Sequence, residues 1–586
     1  MIEKAPGRGY NRTAMRASDI RLMGLETTGN REAEALAAAA EETLAGLSGE
    51  KAVDRIWAKD WRLWKDRDGE ISDRLGWLDA VDEPPAAAAD REEFVRGLRA
   101  EGFDRAVVLG MGGSSLAPEV FAKVLGRGPD GLELSVLDST DPAALSDARV
   151  RLPIGKTFFL VSSKSGSTLE TGSFLAFFHA EVSSALGPKL AGRSFAAVTD
   201  PGSSLALLAG RLGFRRVFQG DPNVGGRFSA FTPFGLVPAA LLGLDASALL
   251  QEGRSAAQAC RVTDPRLNPG SRLGAILGAA ARLDLDKIAL LLPPRWESLG
   301  AWIEQLVAES TGKEGRGILP FTRRPEDEAG AAGSIVDCPG VLPVFFEAGS
   351  DDDGGWTGTR DLFVRSGRPG LVLHAGEAGL GGQLFLWEFA TAVAGRVLGL
   401  NPFDQPDVAS SKKGTMESLS EAVREGRVVL DVPDAADGRE SVWAGAPVAD
   451  AAEALTRLAG DAASAGYAVF QAFLPPQPLV REALRRLALR FQRQAGIPTA
   501  FDFGPRFLHS TGQLHKGDGG RGIFIQLTAD HPADLPVPGQ PYTFGTLIDA
   551  QAAGDRRALL GKGRRVLAIR FHDDPVAGLD RLSAYL

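Results

Sequence analysis

The stretch AVVLGMGGSSLAPEVFAKVL, residues 106–125, places a short apolar run before a loop rich in glycine and serine, and a helical stretch after it. The same order recurs in TFFLVSSKSGSTLETGSFLAFF, residues 157–178. Glycine lets the backbone approach a ligand closely, hydroxyl groups donate hydrogen bonds, and a helix N-terminus carries partial positive charge. The two loops therefore predict a pocket for an anion, most simply a phosphate ester, at the ends of two strands.

Chain length and composition limit the class of protein. A chain of 586 residues is too long for one core, so we expect roughly three to four structural units. The 65 Lys and Arg against 74 Asp and Glu, a net charge of −9, argue against nonspecific nucleic-acid binding. Cys260 and Cys338 form no readable disulfide framework. With neither a signal-peptide pattern nor a long uncharged apolar run, we expect a soluble cytoplasmic protein.

Short apolar strands alternate with helical stretches through most of the chain. This alternation predicts an α/β protein whose parallel sheets carry helices on both faces. We interpret the tryptophans of the N-terminal part as packing on the neighbouring unit, and the acidic segment 347–355 as a surface loop. The predicted units are a helical segment at 1–99, a unit with both loops at 100–260, a second at 261–435 and a C-terminal α/β extension at 436–586.

The first loop partly matches the dinucleotide-binding fingerprint. Gly110 and Gly112 follow a strand, and Asp138 ends the next strand, where a ribose-binding acid would stand. Ser115 occupies the third glycine position, so NAD binding is the less favoured interpretation. The second loop is not a Walker A motif. It offers four hydroxyl groups around one glycine, more than a helix cap uses, and this favours a phosphate site.

Five short segments follow one another along the middle of the chain. They are GMGGSSLAP (110–118), SKSGSTLET (163–171), VGGRFS (224–229), AESTGK (308–313) and NPFDQP (401–406). In this order they resemble the glucose-6-phosphate isomerase family, which is built from two sugar-isomerase (SIS) domains. From about residue 40 to the end, including GPRFLHSTGQLHKG (504–517), the chain resembles the isomerase half of bacterial transaldolase/glucose-6-phosphate isomerase fusions, with no resemblance to the transaldolase half.

The resemblance implies two SIS-type doubly wound parallel-sheet domains, each an α/β/α sandwich. It implies an aldose–ketose isomerase that interconverts glucose 6-phosphate and fructose 6-phosphate through a cis-enediol, acting as a homodimer without a cofactor. The histidines and cysteines show no metal-ligand spacing, so we expect no metal. Such an enzyme moves a proton rather than a hydride.

Functional residues of the family fall on matching positions of this sequence. The resemblance implies contacts to the phosphate and sugar from Gly113, Ser114, Ser163, Lys164, Ser165, Thr168, Gln305 and Gln405. It implies that Glu309, near the end of a helix predicted over Trp296–Ser310 with Gly312 as its C-cap, is the base that moves a proton between C1 and C2. Arg227 would face the developing enediolate. Lys412 would help to open the sugar ring. Because Lys413 is adjacent, the alignment with the family leaves open which of the two lysines takes this role.

One departure from the family concerns the histidine that opens the sugar ring. The family places it between the base glutamate and the NPFDQ motif, but residues 321–369 of this chain contain no histidine. His509 and His515, in a glycine-rich segment near the C-terminus, are the candidates, acting from this chain or from a partner. The alternative is that both bind backbone groups in a structural turn.

Two other functions stay open at the level of sequence. A broader phosphosugar isomerase would also accept mannose 6-phosphate, because both C2 epimers pass through the same enediol. A non-catalytic SIS regulator that binds phosphosugars would need the phosphate loops, but not Glu309, Arg227 and Lys412 together. Their joint presence favours catalysis.

Overall fold

The computed structural model describes residues 15–25, 30–328, 334–347, 354–375 and 378–586. Helices and strands alternate through these residues and form three predominantly parallel sheets. Most of the acidic segment predicted as a surface loop lies outside the described residues. Among the helices described, none combines the length and apolar character that a membrane span requires.

The elements are numbered here in chain order. The strands are β1 (Ile20–Met23), β2 (Arg105–Gly110), β3 (Glu133–Leu137), β4 (Thr157–Ser162), β5 (Phe195–Thr199), β6 (Arg216–Gln219), β7 (Lys287–Leu291), β8 (Leu319–Arg323), β9 (Val341–Glu347), β10 (Gly370–His374), β11 (Ala435–Ala436), β12 (Glu440–Trp443), β13 (Tyr467–Phe473), β14 (Thr499–Phe503), β15 (Gly522–Ala529) and β16 (Arg565–Phe571). The helices are α1 (Arg31–Gly49), α2 (Ala52–Trp57), α3 (Pro85–Ala100), α4 (Leu116–Val120), α5 (Pro142–Arg151), α6 (Leu169–Leu186), α7 (Pro188–Ala191), α8 (Ser204–Arg211), α9 (Pro233–Leu241), α10 (Ala246–Ala259), α11 (Pro269–Arg282), α12 (Glu297–Thr311), α13 (Thr357–Ser366), α14 (Gly379–Leu398), α15 (Val408–Glu425), α16 (Ala451–Gly460), α17 (Pro478–Ala495), α18 (Gly512–Gly517), α19 (Phe544–Gly561) and α20 (Pro575–Tyr585).

The first sheet has the spatial order β3-β2-β4-β5-β6, and all its strands are parallel. The chain leaves β2 towards β3 on one side and later returns to β4 on the other, so the order reverses between β2 and β4. In sheets of this kind, ligands bind in the crevice outside the carboxyl ends of the strands at that reversal. Both glycine-rich loops open there, and the predicted parallel α/β fold is confirmed.

The second sheet has the order β1-β10-β9-β7-β8 and is parallel except for β1, which pairs antiparallel with β10. Strand β1 was not predicted, because four residues with one buried position show no readable alternation. Helix α14 runs buried beside this sheet and packs on α10 and α11. Its sequence is apolar on every side, as a helix enclosed by other elements requires.

The predicted packing role of the N-terminal tryptophans is confirmed. The Trp57 ring stacks on Phe385 of α14 with centroids 6.1 Å apart. Trp64 meets the ring of Phe403 edge-on at 5.1 Å, and Trp77 is completely buried. These rings therefore belong to the hydrophobic core that joins the N-terminal helices to the second unit.

The third sheet has the order β11-β12-β16-β15-β13-β14, with antiparallel pairing confined to β11 and β12. Helix α19 of this unit packs against α15 of the preceding unit. The segment after β14, a 3₁₀ turn at Arg506–His509 followed by α18, extends from this sheet towards the carboxyl ends of β2 and β4. The four predicted domain bounds stay a prediction, since β1 and α10 both join neighbouring units.

Candidate active site

The first glycine-rich loop is packed tightly against the turn that carries Arg227. The loop forms a 3₁₀ turn at Gly112–Ser114, and Ser114 is buried. A Cβ added to Gly113 would lie 2.0 Å from the carbonyl oxygen of Gly226, so only glycine permits this approach. The contact sets the distance between the first loop and the Arg227 side chain.

The second loop gathers hydroxyl groups around Gly166, as predicted. Ser163 Oγ and Thr168 Oγ1 lie 2.9 Å apart, and the Gly166 N–H donates to Ser163 Oγ at 3.2 Å. Ser165 and Ser167 are exposed, with their hydroxyl oxygens 3.0 Å apart. Because α6 begins directly after this loop, its N-terminal N–H groups add to the donors available to an anion.

Lys164 is tethered beside this loop. Its Nζ lies 2.7 Å from the Asp200 carboxylate and donates to the Asp221 carbonyl oxygen at 2.8 Å. Both partners of the ion pair are partly exposed. The ammonium group is therefore accessible to an incoming anion, which would compete with Asp200 for its charge.

Glu309 and Arg227 form an ion pair in the interior. Glu309 lies in the last turn of α12, and its Oε1 is 3.2 Å from Arg227 Nη1. The other carboxylate oxygen accepts a hydrogen bond from Gln305 Nε2 at 3.1 Å. The Glu309 side chain is 11% exposed and the Arg227 side chain is 2% exposed, so a small part of Glu309 remains accessible. A carboxylate that can take up a proton thus stands beside a fixed positive charge.

The guanidinium of Arg227 is held by the motif segments on both sides. Its Nε donates to Ser310 Oγ at 2.8 Å, and Nη1 donates to Gln405 Oε1 at 2.9 Å. Its Nη2 donates to the carbonyl oxygens of Pro402 and Asp404 at 2.6 and 3.0 Å. Burial lowers the pKa of Arg227, and the nearby carboxylates oppose that shift. Gln405 therefore orients Arg227.

Helix α12 ends at Thr311, one residue beyond the predicted end, and Gly312 is its C-cap residue as predicted. A Cβ on Gly312 would lie 2.3 Å from Cα of Leu514, so this glycine also lets α18 approach the end of the helix. Gln513 of α18 donates from Nε2 to the Gly312 carbonyl oxygen at 2.9 Å. The C-terminal unit thus contacts the turn after Glu309.

The two candidate histidines have different surroundings. His509 Nε2 lies 3.0 Å from Glu170 Oε1, and the His509 carbonyl oxygen accepts from Gln305 Nε2 at 2.8 Å. Gln305 therefore links the His509 backbone to Glu309. His515 is completely buried, with Nδ1 3.2 Å from the side-chain nitrogen of Gln471, and its ring packs against aromatic rings. Burial holds the pKa of His515 well below its ordinary value. The structure brings His509, but not His515, to the group around Glu309.

Sequence reasoning missed the side chains that hold His509. Glu170 Oε1 also accepts from Gln551 Nε2 at 2.7 Å, and Gln551 Oε1 accepts from Thr140 Oγ1 at 2.7 Å. Burial alone would raise the pKa of Glu170, but the charge and hydrogen bond of His509 bring that pKa below its ordinary value. Glu170 stands inside the quoted segment 163–171 and could have been noticed as an acid beside the hydroxyl groups. Gln551 carries no sequence signal.

A cavity of about 110 Å³ opens beside His509 and Glu170. Lys412 of α15 and Ser167 of the second loop also line it. Lys413 lies 3.8 Å from the carboxylate of Glu417 instead, with its side chain 78% exposed. Of the two adjacent lysines, the structure therefore brings Lys412 to the cavity.

The position considered for a ribose-binding acid has another partner. The Asp138 carboxylate lies 3.2 Å from Arg506 Nη1. Ser115, at the third glycine position of the partial fingerprint, donates its hydroxyl to the Gly112 carbonyl oxygen at 3.0 Å. Both side chains are engaged within the protein, which weighs against the dinucleotide interpretation.

Comparison with known proteins supports the same family as the motifs. A phosphoglucose isomerase family model matches residues 95–315. A glucose-6-phosphate isomerase of Rubrobacter xylanophilus is 30% identical over 370 residues, which are 55% of this chain and 84% of that protein. The enzyme of the same name from Thermosynechococcus vestitus is 31% identical over 358 residues, covering 54% of this chain and 66% of that protein.

Two solved structures share the fold. A glucose-6-phosphate isomerase from Chlamydia trachomatis superposes with a TM-score of 0.54 at 19% identity, covering 64% of this chain and 85% of that chain. A hypothetical protein from Thermus thermophilus superposes with a TM-score of 0.56 at 24% identity, covering 68% of this chain and 100% of that chain. At these identities the likeness concerns the fold, and the fold class expected from the motifs is confirmed.

Proposed function

Because the chain belongs to the glucose-6-phosphate isomerase family, we propose that it interconverts glucose 6-phosphate and fructose 6-phosphate, a reaction shared by glycolysis and gluconeogenesis. The observation that carries this proposal is the contact between the Glu309 carboxylate and the buried guanidinium of Arg227, 3.2 Å apart. A sensor that only binds sugar phosphates has no use for a proton acceptor paired with a fixed cation.

The phosphate group is bound by the hydroxyl-bearing loop. Ser163, Ser165 and Thr168 supply donors, and the N-terminus of α6 adds its N–H groups and dipole. Lys164 exchanges part of its contact with Asp200 for the phosphate. Gly113 and Ser114 of the first loop contact the sugar. With the phosphate anchored, the other end of the open-chain sugar extends towards Glu309.

Glu309 is the base of the isomerisation. It removes the proton from C2 of the open-chain aldose, and the electron pair of that C–H bond forms the C1–C2 double bond while the carbonyl oxygen becomes an enediolate. Negative charge thereby leaves Glu309 and appears on the substrate beside Arg227, which neutralises it without rearranging. A proton then passes from the C2 hydroxyl group to the C1 oxygen, the same carboxyl group returns its proton to C1, and the C2 oxygen becomes the carbonyl of the ketose.

Ring opening precedes this step, and we assign it to His509 and Lys412. When His509 donates its Nε2–H to Glu170, Nδ1 of the neutral imidazole keeps a lone pair that can accept the proton of the anomeric hydroxyl. Lys412, in the same cavity, can deliver a proton to the ring oxygen. Gln551 acts through Glu170 as a positioning residue.

The test is the variant Glu309→Gln, measured in D₂O. We expect turnover to fall by at least about 10³-fold, with loss of deuterium incorporation at C2 of glucose 6-phosphate, because the proton-moving group is gone. Binding of fructose 6-phosphate should persist. Glu314→Gln is the matched control, since this exposed carboxylate pairs with Lys65 a few residues beyond the helix. Exchange retained in Glu309→Gln would contradict the assignment, and binding without exchange in the wild type would favour a regulator.

Three finer points stay predictions. Acceptance of mannose 6-phosphate depends on the shape of the pocket around C2 and is tested by assaying it as a second substrate. A homodimer is tested by sedimentation equilibrium of the full chain. The cytoplasmic location is tested by fractionating cells that express it.

A further inference from the structure

A second cavity, of about 330 Å³, lies on the other side of the segment that carries His509. It is bounded by α12 and β8, by α17 and β14, and by the helix beginning with α4. Within the described part of the chain, neither Glu309 nor Arg227 nor the hydroxyl-bearing loop contributes to its lining. The cavity is therefore separate from the candidate active site, although Arg506 and Thr511 of its wall flank His509 in sequence.

The lining of this cavity is rich in cations. It carries seven Lys and Arg side chains against five carboxylates. Several of these charges are paired with each other: Arg506 Nη2 lies 2.5 Å from Glu119, and Arg324 Nε lies 2.8 Å from Glu297. Arg323, Arg485 and Arg506 also pair with carboxylates just outside the lining, those of Glu328, Glu482 and Asp138. Among the described residues, the lining cations left without an ion-pair partner are Arg295 and Arg481, and these are available to an anion.

Arg481 is one of two lining arginines, with Arg295, that have no ion-pair partner among the described residues. It lies on α17 and is exposed, and its guanidinium stands over the Phe503 ring, 4.7 Å from the centroid. Its nearest acidic side chains, Glu119, Asp502 and Glu297, act on it through longer-range attraction and not through a hydrogen bond. The aromatic ring orients the guanidinium and leaves its N–H donors free for a ligand.

The walls also carry two carboxyl groups that accept hydrogen bonds from threonines, Glu304 on α12 and Asp502 on β14, the strand that also carries Phe503. Glu304 of α12 accepts a hydrogen bond from Thr322 Oγ1 at 2.8 Å, and Asp502 accepts from Thr511 Oγ1 at 3.2 Å. Burial and the repulsion from Asp502 raise the pKa of Glu304 to about 8. This shift favours the protonated form of the Glu304 carboxyl group, which can donate a hydrogen bond to an anionic oxygen.

We propose that this cavity is a second ligand site, which binds a small phosphorylated metabolite with its phosphate on Arg481. The volume is at the lower end of the range of small-molecule sites, about 300–1,000 Å³, and fits a compact ester better than a dinucleotide. Guanidinium groups bind phosphate oxygens in pairs, which gives the site its selectivity for this group.

The site is placed to influence catalysis. One short segment carries Arg506 to this cavity and His509 to the active site, and α12 carries Glu304 on this side and Glu309 at its end. A ligand that orders these walls changes the position of both catalytic groups, which is an allosteric coupling in the thermodynamic sense. This last step rests on the proposed function, whereas the binding itself does not.

Inorganic pyrophosphate is the probe, titrated calorimetrically into the full chain with fructose 6-phosphate saturating the first site. We expect about one pyrophosphate per chain in the wild type, and at least about tenfold weaker binding in Arg481→Gln. Arg486→Gln is the matched control, because this arginine lies on the same helix but pairs with Asp580 outside the cavity. Should Arg481→Gln fail to fold, Arg481→Lys replaces it, with a smaller loss expected because the paired donors disappear.

No pyrophosphate binding under these conditions, or equal binding in wild type and Arg481→Gln, would overturn the proposal. The coupling has its own readout. Pyrophosphate should change kcat in the wild type, while in Arg481→Gln it should act only on KM through the first site. Isomerase turnover without pyrophosphate is measured in parallel, so failure of the proposed function is recognised separately from failure of the second site.

Discussion

Replacing Gly113 by alanine tests the geometry of the site most directly. The added Cβ would lie 2.0 Å from the Gly226 carbonyl oxygen, whereas real Cβ contacts are essentially never under 3.0 Å. The loop and the Arg227 turn must therefore separate by at least 1.0 Å, the difference between these distances. A displacement of about 1 Å between substrate-holding and charge-stabilising groups costs about 10²-fold in rate. Forcing an extra methyl into packed structure costs about 1–3 kcal/mol of stability.

The measurement is kcat/KM of the isomerase reaction, together with the free energy of unfolding. Gly172→Ala is the matched control, because a Cβ at this position of α6 meets nothing within 4 Å. We expect that control to keep full activity and to gain stability, since alanine is the better helix former. If Gly113→Ala keeps its kcat/KM within a factor of three, the contact between the two loops does not set the catalytic geometry and our reasoning is wrong.

Four further substitutions test the roles of individual side chains. His509→Ala should reduce turnover of the cyclic sugar by about 10²–10⁴-fold, as loss of an acid–base group does, while the same change at buried His515 should mainly lower the melting temperature. Gln551→Leu leaves the carboxylate that holds His509 short of a donor, so we expect about 1–3 kcal/mol less stability and an altered pH profile of kcat/KM, whereas an unchanged profile would leave it a purely structural residue. Burial would lower the pKa of His531, but the hydrogen bond to Asp549 raises it overall. The protonated form is therefore favoured by folding, so its stabilisation is complete below the pKa of the unfolded chain and is lost as pH rises through the raised folded value. Denaturant unfolding of His531→Asn across that interval should show a flatter dependence.

Much of the first unit follows from local pattern. Buried parallel strands are continuous apolar runs, so residues 106–109 and 158–161 were recognisable without any partner in view. Each strand is followed by glycine and hydroxyl residues, whose chemistry already indicates an anion. The position of Glu309 near the end of α12 was predictable in the same way, from the helical stretch and the glycine that closes it.

Other parts depended on contacts that no local pattern records. The edge strand β1 exists because β10 offers an open edge, and its own four residues carry little signal. Lys412 lines the cavity and Lys413 does not, because only one face of α15 meets the cavity. The choice between His509 and His515 is made by the packing of α18, which encloses His515 among aromatic rings.

By itself, therefore, the sequence determined the α/β class, the two loops that we predict to bind an anion, and the groups that we propose to move a proton. These properties depend on hydrophobic period, backbone freedom and side-chain chemistry, which act over a few residues. Only the tertiary structure decided that Glu170 meets His509 across 339 positions of the chain, and Gln551 across 381. The same holds for the cavity around Arg481. Such pairings arise when separately folded sheets bury their faces against one another, and burial is insensitive to separation along the chain.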